Sequence, residues 1–121
     1  MRNTIQKNLI RNAVIALDHP TAEDVYQQLH ADNPSISRAT VYRNLNTMEQ
    51  QGDLRRVTVP DGADIFDKTV EQHYHVKCTN CGAVADIPFF EFPPTATAES
   101  DYEITGQELV FLGKCPNCKE N

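Results

Sequence analysis

Ser37-Arg38-Ala39-Thr40-Val41-Tyr42-Arg43-Asn44-Leu45-Asn46-Thr47-Met48-Glu49-Gln50-Gln51-Gly52, followed at once by Asp53-Leu54-Arg55-Arg56-Val57-Thr58-Val59, is the stretch on which the fold turns. Ser37 suits a helix N-cap, because its hydroxyl accepts from a backbone N–H of the first turn. Val41, Leu45 and Met48 recur at helical spacing and form one apolar stripe. Gly52 predicts the helix end. The pattern then changes to period two. Residues 54–59 read as a strand, Pro60-Asp61-Gly62-Ala63 as a turn, and residues 63–66 as the returning strand. A helix followed directly by a hairpin reads as the third helix and wing of a winged helix; an ordinary small α/β domain is the competing reading.

Upstream, two more helices are expected. In residues 4–17, Ile5, Leu9, Ala13 and Leu17 recur at four-residue steps with Ile10 beside them. Asp18-His19-Pro20 ends this helix. Thr21-x-x-Asp24 approximates a capping box for the next, whose Ala22, Val25 and Leu29 face inward. Asn33-Pro34 is a turn signal. Three helices and a hairpin make residues 1–66 a winged helix-turn-helix domain. Residues 67–71 form a polar hinge. Beyond it, residues 73–78, 83–87 and 108–113 read as strands, so residues 67–121 form a small second domain and the fold class is α+β. Phe89, Phe90 and Phe92, interrupted by Pro88, Pro93 and Pro94, predict core or a subunit contact rather than a long helix.

The charge is unevenly distributed. The net charge of −6 argues against nucleic acid when taken alone. Residues 1–56, however, hold seven Lys/Arg against six Asp/Glu, and residues 57–121 hold four against eleven. Any DNA affinity must therefore sit in the first half, and its small positive excess calls for a dimer. The N-terminus lacks an apolar leader, and no window approaches the ~18 apolar residues of a membrane span. The expectation is a cytoplasmic protein whose cysteines stay reduced.

Two constellations carry chemistry. Cys78-x-x-Cys81 and Cys115-x-x-Cys118 are separated by 33 residues and use all four cysteines. Two such knuckles complete a tetrahedron of thiolates with no open position, which suits a structural zinc. Iron in the same cage, as in a rubredoxin-like electron carrier, is the alternative. The second constellation is nitrogen and oxygen. His73-Tyr74-His75 places two imidazoles on one strand face, Asp86 lies on the next strand, Asp67 in the hinge and His19 at the end of the first helix. Such a mixture suits borderline divalent ions, Fe(II), Mn(II), Zn(II) or Ni(II). His30, with no partner pattern, reads as a surface residue. No nucleophile–base motif or phosphate loop is present, and the chain is not expected to be an enzyme.

The segments His19-Pro20-Thr21-Ala22-Glu23-Asp24-Val25-Tyr26, Ser37-x-x-Thr40-Val41-Tyr42-Arg43-Asn44-Leu45, Phe66-Asp67, His73-Tyr74-His75-x-x-Cys78-x-x-Cys81-Gly82 and Cys115-x-x-Cys118 together resemble the ferric uptake regulator family. The resemblance implies a homodimeric, metal-dependent transcriptional repressor. Its second domain would serve dimerisation, and His19, Asp67, His73, His75 and Asp86 would hold a regulatory Fe(II) or Mn(II). Aspartate at position 86 resembles the peroxide-sensing branch, in which Fe(II)-dependent oxidation would fall on His19 and His73; an iron, zinc or manganese uptake regulator without redox sensing is the alternative within the family. A further family metal site uses a histidine shortly before the last cysteine pair, where this chain has Gln107, which favours a single regulatory site per subunit. The chain begins almost directly with its first helix, so phosphate contacts from the extra helix of typical members are expected to be lacking. DNA contacts are expected from Ala39, Tyr42, Arg43, Asn46 and Gln50 on the outward face of the third helix and from Arg55 and Arg56 on the wing. A dimer would bind a pseudo-palindromic operator.

Overall fold

The Ser37 cap forms as expected: its Oγ accepts from the Thr40 backbone N–H at 3.1 Å and starts helix α3, Arg38–Gln50. Val41, Leu45 and Met48 of α3 are fully buried. The helix stops because Gly52 adopts φ 80°, a conformation that suits glycine. This turn lets Gly52 N–H donate to Glu49 O (3.1 Å) and Asp53 N–H to Met48 O (2.8 Å), so the last carbonyls of the helix are satisfied.

The computed structural model describes residues 2–91 and 99–119. These form two units, Met1–Glu71 and Gln72–Asn121. Phe92, Pro93 and Pro94 lie outside the described residues.

In the first unit, α3 follows α1 (Arg2–Ala16) and α2 (Ala22–His30). The Thr21–Asp24 capping box closes in both directions. The buried face of α1 is Ile10, Ala13 and Val14, with Leu9 and Leu17 packed against it, whereas Ile5 is 62% exposed. Strict four-residue steps drift around a 3.6-residue helix, so a stripe built on them leaves the core within two turns.

After α3 come β1 (Arg55–Val57) and β2 (Ile65–Asp67), an antiparallel ribbon with Arg55 opposite Asp67 and Val57 opposite Ile65. This is the predicted wing with a longer turn, residues 58–64 lying outside the ladder, and with β2 ending one residue later than expected. Asp67, expected in the hinge, is the last residue of β2 and only 4% exposed; residues 68–71 are exposed. His30 is exposed as expected but has a partner: its ring stacks on Tyr26 at 5.0 Å, and its Nδ1 lies 3.2 Å from the Tyr26 hydroxyl.

The second unit is a three-stranded sheet in the order β4-β3-β5, from β3 (Tyr74–Cys78), β4 (Val84–Ile87) and β5 (Val110–Gly113), followed by the one-turn helix α4 (Pro116–Lys119). β4 pairs with β3 antiparallel and β5 pairs with it parallel. The Tyr74 side chain is fully buried; its hydroxyl donates to Phe90 O (2.9 Å) and accepts from Gln107 Nε2 (2.8 Å), which satisfies the phenol. Phe90 meets Tyr74 edge-on at 4.9 Å, yet Phe89 and Phe90 stay about two-fifths exposed (39% and 42%), so they are not simply core. Among the described residues no helix is long and apolar enough to cross a membrane.

One ion pair ties α2 to the start of α3. Arg38 grips Glu23 with Nε and Nη2, each at 3.0 Å, and lies 4.4 Å over the Tyr26 ring. The Arg38 hydrogen bonds, helped by Gln27, lower the Glu23 carboxyl from 4.5 to about 2. A carboxyl whose folded pKa is depressed stabilises the fold above its unfolded pKa, and that contribution fades as pH falls toward the folded value. Glu23→Gln should therefore melt below the wild type at pH 7, with the difference vanishing between pH 4.5 and pH 2; thermal unfolding across that window checks it.

Candidate functional site

The four cysteines converge within the second unit. Their sulfurs lie within 4.8 Å of one another, and Cys81 Sγ is 3.8 Å from Cys115 Sγ. A tetrahedron with metal–sulfur bonds of about 2.3 Å has edges of about 3.8 Å, so the cage fits a zinc-sized centre. Each knuckle has a local cause. Gly82, at φ 82°, turns the chain so that its N–H donates to Cys78 O at 2.9 Å. Pro116 opens α4, where a missing N–H is harmless. The two knuckles are joined because Thr79 N–H donates to Gly113 O (2.8 Å), continuing the β3–β5 pairing.

The cage is electrostatically prepared for a cation. Cys81 N–H donates to Cys78 Sγ at 3.4 Å. That backbone donor, with a second from Cys115, lowers the Cys78 thiol to about 5. Cys115 is lowered chiefly by the Cys118 backbone N–H. For Cys118 the Asn80 amide, 3.3 Å from the sulfur, pulls down, but the crowding sulfurs of Cys115 and Cys78 push it up to about 11. The sulfurs thus resist becoming thiolates together unless a positive ion sits among them. Asn80 has no signature beyond lying inside the Cys78–Cys81 knuckle, and sequence reading missed it.

The nitrogen and oxygen donors fall into two groups, one in each unit. In the second unit, His73 Nε2 lies 3.3 Å and His75 Nε2 3.5 Å from the same Asp86 oxygen, Oδ1, with the imidazole centroids 4.5 Å apart. The strands dictate this arrangement. Residues 73 and 75 share a face, and Asp86 stands directly across from His75 in the β3–β4 register. His75 is 1% exposed. In the first unit, His19 Nε2 lies 3.4 Å from Asp67 Oδ2, and both side chains are buried. Phe66 N–H donates to Pro20 O at 2.8 Å and Thr21 bridges to Ile65, so the 19–21 segment runs alongside β2. The other Asp67 oxygen accepts from Thr69 N–H at 2.9 Å. His19 adopts φ 50°, a left-handed conformation uncommon for a residue with a Cβ. Its Nδ1 lies 2.9 Å from Asp18 Oδ1. That contact is one of proximity to an exposed carboxylate, without hydrogen-bond geometry.

On α3, Ala39, Tyr42, Arg43, Asn46 and Gln50 are all exposed, Tyr42 by 44%. Arg55 and Arg56 are half-buried on β1.

A model of the ferric uptake regulator family matches residues 1–111. The chain belongs to the ferric uptake regulator family. The match takes in both His/Asp groups and the first cysteine pair. Cys115 and Cys118 lie beyond it, so their role rests on the sulfur geometry. The peroxide-responsive repressor PerR of Staphylococcus aureus (strain USA300) is 31% identical over 118 residues, covering 93% of this chain and 78% of that protein. Among solved structures, the Campylobacter jejuni peroxide stress regulator superposes with a TM-score of 0.77 at 28% identity, over 97% of this chain and 91% of that one. The Vibrio cholerae ferric uptake regulator follows at 0.69 and 27%, over 91% and 88%. Members of the family are transcriptional regulators rather than enzymes, and an electron-carrier reading of the four cysteines is not favoured.

Cys118→Ser, or removal of the metal by a strong chelator, should unfold the second unit while the helices of the first persist. Structural thiolate sites supply on the order of 10 kcal/mol of folding free energy, at the scale of a whole domain's stability of roughly 5–15 kcal/mol. Amide hydrogen exchange resolved by segment would show protection lost from β3, β4 and β5 and kept in α1–α3.

Proposed function

We propose that this protein is a peroxide-responsive, metal-dependent repressor of transcription that acts in the cytoplasm as a homodimer. Residues 1–66 bind DNA and contribute His19 to the regulatory site, and residues 67–121 dimerise and carry the remaining metal ligands. The observation that carries this reading is the meeting of His73 and His75 on Asp86 Oδ1, in a chain whose relatives include peroxide-responsive repressors.

The cysteine cage takes Zn2+ as a structural ion: four sulfur donors leave no coordination position for a reactant. His19, Asp67, His73, His75 and Asp86 supply an imidazole and carboxylate set suited to Fe2+ or Mn2+. Because these donors come from both units, a single ion held by all of them favours one arrangement of the two, and its binding free energy shifts the population toward the DNA-binding form. Fe(II) held by these residues would activate peroxide; the peroxide then takes two electrons from a ligand imidazole, which gains one oxygen while the other leaves as water. His19 and His73 are the acceptors. An oxidised imidazole is a poorer donor, so the two units lose their common ligand and the DNA is released.

On the DNA side, Tyr42 and Ala39 meet thymine methyl groups, Arg43 meets guanine or phosphate, and Asn46 and Arg55 complete the contact surface. Two copies related by a two-fold axis read a pseudo-palindromic operator.

The test loads the protein with Fe(II) or Mn(II), adds equimolar peroxide, and follows DNA binding and peptide mass. With Fe(II), the His19 or His73 peptide should gain one oxygen as DNA binding falls. With Mn(II) neither should change. Asp86→Glu should lose most of the peroxide sensitivity and keep metal-dependent DNA binding. Intact DNA binding and unmodified histidines in the Fe(II) sample would sink the redox reading.

A further inference from the structure

Arg56 on the wing is engaged within its own unit. Its Nη1 lies 3.3 Å from Asp64 Oδ2. Its guanidinium sits 4.9 Å over the Phe66 ring. Its Nη2 donates to Asn46 Oδ1, on the exposed face of α3. Asn46 follows Tyr42 by one turn, and Tyr42, Asn46, Arg56, Asp64 and Phe66 line one cavity of about 220 Å3. The wing therefore reaches back to a residue of the helix that faces outward, and it does so through one particular oxygen.

From this arrangement we infer that Arg56 is a positioning residue that sets which base Asn46 recognises, and that it is not itself a phosphate contact. The inference rests on the DNA-binding role proposed above. A carboxamide carries one acceptor and one donor group. Asparagine reads adenine by using both, accepting from N6–H and donating to N7. With Arg56 on one lone pair of Oδ1 and fixing the plane of the amide, Asn46 turns its Nδ2–H2, rather than the paired Oδ1/Nδ2 edge, toward a base. A pure donor suits a base that shows acceptors in the major groove: guanine through O6 and N7, or thymine through O4. Asp64 completes the device. It neutralises the guanidinium, and together with the Phe66 face it holds the fork in the orientation that meets Asn46. A neutralised guanidinium releases no counterion on binding DNA.

The measurement is the affinity of the Mn(II)-loaded full chain for duplexes selected from a randomised pool, by fluorescence anisotropy at several salt concentrations. Arg56→Ala should shift preference at one position per half-site toward adenine, by about 10-fold, and leave the slope of log K against log salt unchanged. Arg56→Gln retains a donor for Asn46 without the charge; it should keep the wild-type base preference and the wild-type slope. Asn46→Ala should erase the preference at that same position, and adding Arg56→Ala to it should change nothing further. Asp64→Asn should free the guanidinium and steepen the slope by about 0.9 per protomer. The assignment is overturned if Arg56→Ala and Arg56→Gln both weaken binding equally on all sequences and each flatten the slope by about 0.9 per protomer, because that is a phosphate contact. A wild type that binds no duplex in any metal state overturns the repressor reading and this inference together. A wild type that binds selectively while the Arg56 variants follow the uniform pattern overturns this inference alone.

Discussion

The pairing of β3 with a neighbour on each side is the constraint on which the rest depends. The strand is only five residues long, Tyr74–Cys78, yet it carries two unlike metal chemistries. Pairing with β4 sets Asp86 across from His75. Pairing with β5 sets Cys78 across from Gly113, two residues before Cys115. A shift of one residue in either register would turn the histidines away from their carboxylate or the first knuckle away from the second. A three-stranded sheet with half-exposed faces has little core to resist such a shift. A metal on Cys78, Cys81, Cys115 and Cys118 would supply the resistance by pinning the β3 end to the chain that follows β5.

This separates two roles that composition alone would merge. The sulfur cage is closed and holds shape. The His/Asp donors form one small group in each unit, His19 with Asp67 in the first and His73 and His75 with Asp86 in the second. Asp86, about half exposed (52% of its side chain) beside the buried His75, gives the second unit's group a solvent-facing member.

Much of this was legible in the sequence, because the relevant signals are local. Ser37, the Thr21–Asp24 box and Gly52 each act within one turn of helix, and the two cysteine pairs declare themselves by spacing. The alternation of His73 and His75 likewise follows from strand geometry. What sequence reading missed depends on contacts distant in the chain. Ile5 looked like core because four-residue spacing imitates a helical stripe, but the partner surface of α1 begins near Leu9. Asp67 looked like hinge because a charged residue between polar neighbours reads as exposed; its burial is supported by Thr69 and His19. Asn80 and Asp64 act on groups that the fold brings to them, Cys118 and Arg56, and nothing in their neighbours along the chain marks them. Arg56 was legible as a wing cation, and its partners Asp64 and Asn46 were not.

A filled thiolate cage should hold β3 in the register that brings His73, His75 and Asp86 together as a metal site. The most direct measurement is Mn(II) binding, followed by electron paramagnetic resonance of the free ion, in the zinc-loaded chain and in the same chain stripped of zinc. Mn(II) affinity should collapse in the stripped protein and return when one equivalent of zinc is restored. Equal Mn(II) affinity with and without zinc would contradict it.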